Sequence, residues 1–171
     1  MTGECCNRAP SSKETSLREA GYDTIECAIL EVSRLFFQTF AVPHSQSWLM
    51  ALQRAELRFP SEAGAQIGLD ILAAVQAMRM SRVSSFCFNN PTCPGCSQIV
   101  SEHERQFMGI FRALRHRRMS EAQTHALLIC EGNDTRHLLN RMMALVSSTC
   151  EAEAAGDPGG AFRDFVGIEV G

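Results

Sequence analysis

Thr24-Ile25-Glu26-Cys27-Ala28-Ile29-Leu30-Glu31-Val32-Ser33-Arg34-Leu35-Phe36-Phe37-Gln38-Thr39-Phe40-Ala41-Val42 decides the fold class. Ile25, Ala28, Ile29, Val32, Leu35, Phe36 and Phe40 recur at steps of three and four, which lays one apolar stripe along a helix. Pro43 lacks an amide hydrogen and has a fixed φ, so it ends the run. A helix with one apolar face must bury it against other elements, and the flanking sequence supplies more helices of the same kind.

Downstream, Ser45 or Ser47 is placed to cap a second helix carrying Trp48, Leu49, Leu52, Ala55 and Leu57 and stopping before Pro60. Ser61 is placed to cap a third over 62–83, apolar on most sides through Ile67, Leu69, Ile71, Leu72, Val75 and Met78, and hence central. Gly64 and Gly68 stand one turn apart there and leave room for a neighbouring helix. A fourth helix is expected over 94–117, begun by Pro94 and striped by Val100, His103, Phe107, Ile110, Phe111 and Leu114. Ser120-Glu121-Ala122-Gln123 reads as a capping box opening a fifth, which stops at Glu131-Gly132. Asp134 or Thr135 then caps a sixth, with Leu138, Leu139, Met142, Leu145 and Val146 on one side. No alternating strand pattern stands out. The expectation is an all-α, single-domain bundle of about six helices, mostly antiparallel, with a cysteine-rich loop between helices three and four. Residues 1–22 read as a flexible arm, 23–153 as the bundle and 154–171 as a loop and a short apolar tail from Phe162 to Val170 that docks on it.

Composition sets the outer bounds. A chain of 171 residues, 45% hydrophobic and 20% charged, is long enough to build its own core without metal or disulfides. A net charge of −3 gives no basic field toward nucleic acid or acidic membranes. The N-terminal residues carry no apolar export segment, and the apolar helix 62–83 is interrupted by Asp70 and Arg79, so no membrane span is expected. The eight cysteines are therefore read in a reducing cytoplasm, as thiols or metal ligands. Cys5-Cys6 falls in the arm, where the reading is two incidental thiols rather than a lipidation or redox site.

The chemistry concentrates in Cys87-Phe88-Asn89-Asn90-Pro91-Thr92-Cys93-Pro94-Gly95-Cys96. A tight turn with sulfurs three positions apart presents two thiolates to one ion, and a third thiol six residues upstream can close on it. Soft sulfur ligands select zinc, with an iron–sulfur cluster as the alternative. The expected metal ligands are Cys87, Cys93, Cys96 and His103, with Cys130 or His44 as substitutes for the fourth. Cys27 and Cys150 read as small hydrophobes. The function expected is a regulatory or protein-interaction module, the partner being another protein or a second copy, with no catalytic set legible.

Two other readings compete. Cys93-Pro94-Gly95-Cys96 at a helix start suits thiol–disulfide or peroxidase-like chemistry, with a reactive first thiol and a resolving partner. In this it resembles the all-helical alkylhydroperoxidase/carboxymuconolactone decarboxylase family, whose CxxC is followed by a His one turn later. Val100 stands at that place here, so the resemblance covers the two cysteines alone. Arg112, Arg115, His116, Arg117 and Arg118 followed by a capped helix outline a helix-turn-helix. The second helix, however, begins with Glu121-Ala122-Gln123, acidic where a DNA reader is basic, and cations at a helix C-terminus are favoured by its dipole.

Overall fold

Asp23 begins the first long helix by accepting the Glu26 amide through its side chain, while Glu26 reaches back to the Asp23 amide. The helix then follows its apolar stripe to Ala41, one residue before Val42 and Pro43. In this computed structural model, which describes residues 8–60 and 62–155, the order is β1 (Thr15–Ser16), α1 (Leu17–Ala20), α2 (Thr24–Ala41), a 3-10 turn at Pro43–Ser45, and α3 (Ser47–Arg58). There follow α4 (Gly64–Ser81), α5 (Pro94–Ser97), β2 (Ile99–Val100), α6 (Glu102–Arg115), α7 (Met119–Ile129) and α8 (Arg136–Ala155). Six long helices carry the core, so the chain is an all-α bundle. α4 lies against α2, α3 and α8, and α6 lies against α7, α8 and α2. Phe36, Phe107, Phe111, Ile29, Ile67, Ile71, Met78 and Leu138 are fully buried between them.

Glycine decides how α3 meets α4. A Cβ on Gly64 would stand 2.8 Å from the Glu56 Cα and 3.0 Å from the Ala55 oxygen; one on Gly68 would meet Ala55 Cβ at 3.2 Å. The helices touch backbone to backbone at Ala55 and Glu56, and Ala51 and Ala55 are buried. Leu52 packs beside Gly68 as expected, but Trp48, Leu49 and Leu57, expected on the same apolar face of α3, are exposed. Leu69 of α4 is likewise exposed. Gly64→Ala is expected to cost about 1–3 kcal/mol, the range for overpacking a tight core, because backbone cannot swing aside. The midpoint of urea unfolding checks this; an unchanged midpoint contradicts it.

Three boundaries differ from expectation. The helix foreseen over 94–117 is two helices separated by β2. Ile99 and Val100 pair with Ser16 and Thr15, Leu17 donates to the Gln98 oxygen at 2.7 Å, and Ser101 caps α6 afresh with Glu104 as its partner. The β-branched pair and the S-x-x-E box together outweigh helix continuation. The segment 15–22, read as part of the arm, is thus tied to the cysteine loop. The foreseen capping box at Ser120 does not form. Arg117, with φ 58°, makes the turn, and α7 starts at Met119 with Arg118 as its cap residue and no side-chain cap. Ser61 lies outside the described residues, and α4 begins at Gly64 with Ala63 before it. The expected docking of 162–170 also lies outside them.

α7 ends as foreseen. Glu131 and Gly132 take positive φ (57° and 79°), and the Gly132 amide returns to the Leu127 oxygen at 2.9 Å. The Glu131 carboxylate then accepts from the amides of Val83 (2.8 Å) and Ser84 (3.1 Å), from Arg82 and from the Ser84 hydroxyl. These donors hold its carboxyl at about 2 and pin the exit of α4 where the cysteine loop departs.

Candidate metal-binding loop

The loop is built by local rules. Asn90 Oδ1 accepts from the Thr92 amide (2.9 Å) and hydroxyl (2.8 Å), an Asx turn that reverses the chain before Cys93. The Cys93 amide donates to the Asn90 oxygen and the Ser97 amide to the Cys93 oxygen. Pro94 opens the one-turn α5, and the Cys96 amide points at Cys93 Sγ, 3.5 Å away. A backbone N–H aimed at sulfur favours the thiolate over the thiol. Cys93 and Cys96 are half-buried, and Cys87 is exposed.

Tertiary contacts then clamp the loop. Arg34 of α2 and Glu104 of α6, 3% and 0% exposed, form a buried two-point ion pair with Nε–Oε1 2.7 Å and Nη2–Oε2 3.1 Å. The remaining Arg34 donors reach the Ser97 oxygen (2.7 Å) and the Ile99 oxygen (2.5 Å). Glu104 also accepts from the Ser101 amide (2.7 Å) and the Asn89 amide (3.0 Å), and the Asn89 side chain donates to the Ile99 oxygen (2.9 Å). One buried pair therefore holds both flanks of Cys93 and Cys96. A buried ion pair is costly to build unless its hydrogen bonds are filled, and here they are spent on the loop backbone. A cage of rings covers the other side: Phe37 lies 4.3 Å from Phe86, 5.8 Å from Phe88 and 5.4 Å from Phe107, centroid to centroid.

The four expected ligands are placed differently from one another. Cys93 and Cys96 share the knuckle. Cys87 meets His103 through its main chain: the Cys87 amide donates to His103 Nδ1 at 2.8 Å, and the imidazole lies beside Phe86. That bond requires a neutral ring protonated on Nε2, which makes His103 a support for the loop backbone. Cys130 is buried beside Ser81, and burial pushes its thiol up. His44 sits in the exposed 3-10 turn. Among the described residues no three His, Cys, Asp or Glu side chains are grouped so as to hold a metal ion.

Burial, then the Arg82 charge, lower the His103 pKa below its ordinary value of 6.5. A lowered folded pKa means the unfolded chain binds the proton more readily. The contribution of His103 to stability is thus complete above about pH 6.5 and is lost as pH falls through the folded value. The metal-free protein is expected to lose stability from pH 7.5 to 5, and His103→Gln to flatten that slope. An unchanged slope in urea titrations at stepped pH contradicts it.

Elsewhere, two members of the basic run are used in pairs within the fold, while His116, Arg117 and Arg118 are exposed. Arg112 pairs with Glu26 at 3.0 Å, and Arg115 bridges Asp23 (2.5 Å) and Glu153 (2.8 Å). A cleft of ≈ 300 Å³ is lined by Glu19, Tyr22, Arg105, Arg112, Glu121 and His125. Its tyrosine is pushed up to about 12, chiefly by burial, and its Arg112 is already paired, so no reactive set assembles there.

The Arg34–Glu104 clamp was not foreseen. Two signals could have found it: Ser101-x-x-Glu104 is a capping box, and Arg34 interrupts the apolar stretch of 24–42. No family model matches this chain, and neither a curated protein nor a solved structure matches it. No helix among the described residues is long and apolar enough to cross a membrane.

Proposed function

We propose that this protein is a helical metal-binding module that holds zinc through the Cys93 and Cys96 thiolates and acts in regulation or protein interaction. The observation that carries the reading is the clamped knuckle, with the Cys96 amide on Cys93 Sγ and a buried ion pair fixing both flanks. Zinc is favoured because two preset thiolates are soft ligands and need no redox partner. The protein-interaction role is supported by α3, which presents Trp48, Leu49 and Met50 to solvent in succession. The use of Arg112 and Arg115 in internal ion pairs speaks against nucleic acid as the partner.

Metal analysis of protein purified without added metal tests this. The expected result is about one zinc per chain, the content of one closed four-ligand site, lost in Cys93→Ser, with alkylation of the wild type slow until a chelator is added. Metal-free protein whose Cys93 alkylates rapidly and forms a disulfide with Cys96 would overturn it in favour of the thiol–disulfide reading.

A further inference from the structure

The cleft of ≈ 300 Å³ lies where the segment 15–22, α6 and α7 come together, and none of its lining residues belongs to the cysteine loop. Arg112 and Glu121 are already matched there. Arg112 spends its guanidinium on Glu26 and on the Ala20 and Gly21 carbonyls, and Glu121 pairs with Arg118 at 2.8 Å. Two charges are left over. Glu19 of α1 accepts through Oε2 from the Ser16 hydroxyl (2.8 Å), the Ser16 amide (3.1 Å) and the Thr15 hydroxyl (3.3 Å), all uncharged donors. The Ser16 hydroxyl foremost, then the other two, hold its carboxyl below the ordinary range, so it is ionised near neutral pH. Arg105 of α6 makes no hydrogen bond or ion pair among the described residues. Glu19 and Arg105 thus line one cleft with opposite charges and form no pair with each other.

The remaining walls suit a polar guest. The Tyr22 hydroxyl makes no hydrogen bond among the described residues and, with its pKa pushed up to about 12, stays a donor at neutral pH. His125 is held in place: Nδ1 meets Gln106 Oε1 at 2.5 Å, which puts the proton on Nδ1 and in the neutral ring leaves Nε2 as an acceptor. The ring lies on Gly109, where an added Cβ would stand 2.7 Å from Nε2 and 2.8 Å from Cδ2 and Cε1. Glycine inside a helix weakens it relative to alanine. Here it gives the imidazole room against α6, at the wall of the cleft.

The volume is at the small end of ligand sites and holds one small molecule rather than a dinucleotide or a peptide. A guest that leaves neither charge bare carries one anion and one cation. A phosphate ester brings no cation for Glu19, and a polyamine brings no anion for Arg105. We propose that the cleft binds a free α-amino acid, its carboxylate on the Arg105 guanidinium and its ammonium on Glu19, with Tyr22 and His125 left for its side chain. A guanidinium matches a carboxylate through two parallel donors. This site is independent of whether the cysteine knuckle holds metal.

The full-length protein is titrated calorimetrically with each common L-amino acid in turn. The tightest binder is then compared with the amine that lacks its carboxyl group and the carboxylic acid that lacks its amino group. Each truncated analogue is expected to bind at least about tenfold more weakly, as for loss of one charge-assisted contact. Arg105→Gln should weaken the amino acid at least about tenfold and leave the amine unchanged, because the amine has no group for Arg105. Glu19→Gln, which can keep the capping box, should weaken the amino acid and leave the carboxylic acid unchanged. Absence of binding by every amino acid overturns the inference. An amine or carboxylic acid that binds as tightly as its amino acid also overturns it, as does wild-type affinity in Arg105→Gln. Arg105 is exposed, so its replacement leaves the fold in place. Should Glu19→Gln fail to fold by circular dichroism, Arg105→Gln and the two analogues decide.

Discussion

Arg34→Met is expected to lower the unfolding free energy by about 3–5 kcal/mol, the cost of stranding one partner of a buried ion pair. Glu104 would be left at 0% exposure without its guanidinium, and the Ser97 and Ile99 carbonyls would lose their donors. The effect should exceed that of any surface pair, including Arg136–Asp134, where both side chains face water and solvent weakens the attraction. Urea unfolding of the metal-free protein measures it, and a loss under about 1 kcal/mol, the range of an exposed pair, would show that the pair is not the clamp. The double variant Arg34→Met/Glu104→Leu should recover part of the loss, because no charge is then stranded. Recovery stays incomplete because the Asn89 and Ser101 amides lose their acceptor. In the zinc-loaded protein the same variants should release metal faster, since the flanks of Cys93 and Cys96 are no longer held.

Phe37→Ala is expected to cost about 3–5 kcal/mol, as for truncation of a buried phenylalanine. Its ring is 4% exposed and touches Phe86, Phe88 and Phe107, so the cavity opens under the loop that carries the cysteines. A comparator separates the local from the global effect. Ile71→Ala empties a core position on α4 and should cost about 2–5 kcal/mol. At matched stability, only Phe37→Ala should speed alkylation of the half-buried Cys93 and Cys96 in the metal-free protein. Equal rates in the two variants would mean the aromatic cage does not hold the loop.

The helices were legible because their signals are local. The stripe from Ile25 to Phe40, the stops at Pro43 and Gly132, and the small pair Gly64 and Gly68 each act within a few residues or on one helix face. The single helix expected over 94–117 failed because Ile99 and Val100 found a partner some eighty residues earlier, at Thr15 and Ser16, and pattern along the chain does not register such pairing. The apolar residues of α3 were assigned to the core on hydrophobicity alone, but Ala55, Glu56 and Leu52 meet the glycines of α4 while Trp48 and Leu57 are exposed.

The same division runs through the candidate site. By itself the sequence determined the all-helical class, the limits of most helices and the Cys93-Pro94-Gly95-Cys96 turn, because periodicity, caps and prolines fix φ and ψ locally. Only the tertiary structure decided that Arg34 and Glu104, seventy positions apart, meet in the interior and grip that turn. It alone decided that His103 serves the Cys87 amide, and that Arg8 donates to Asn89 of the cysteine loop. A buried charge is tolerated only where packing brings its partner, and that pairing depends on how helices cross in space rather than on the residues beside it in the chain.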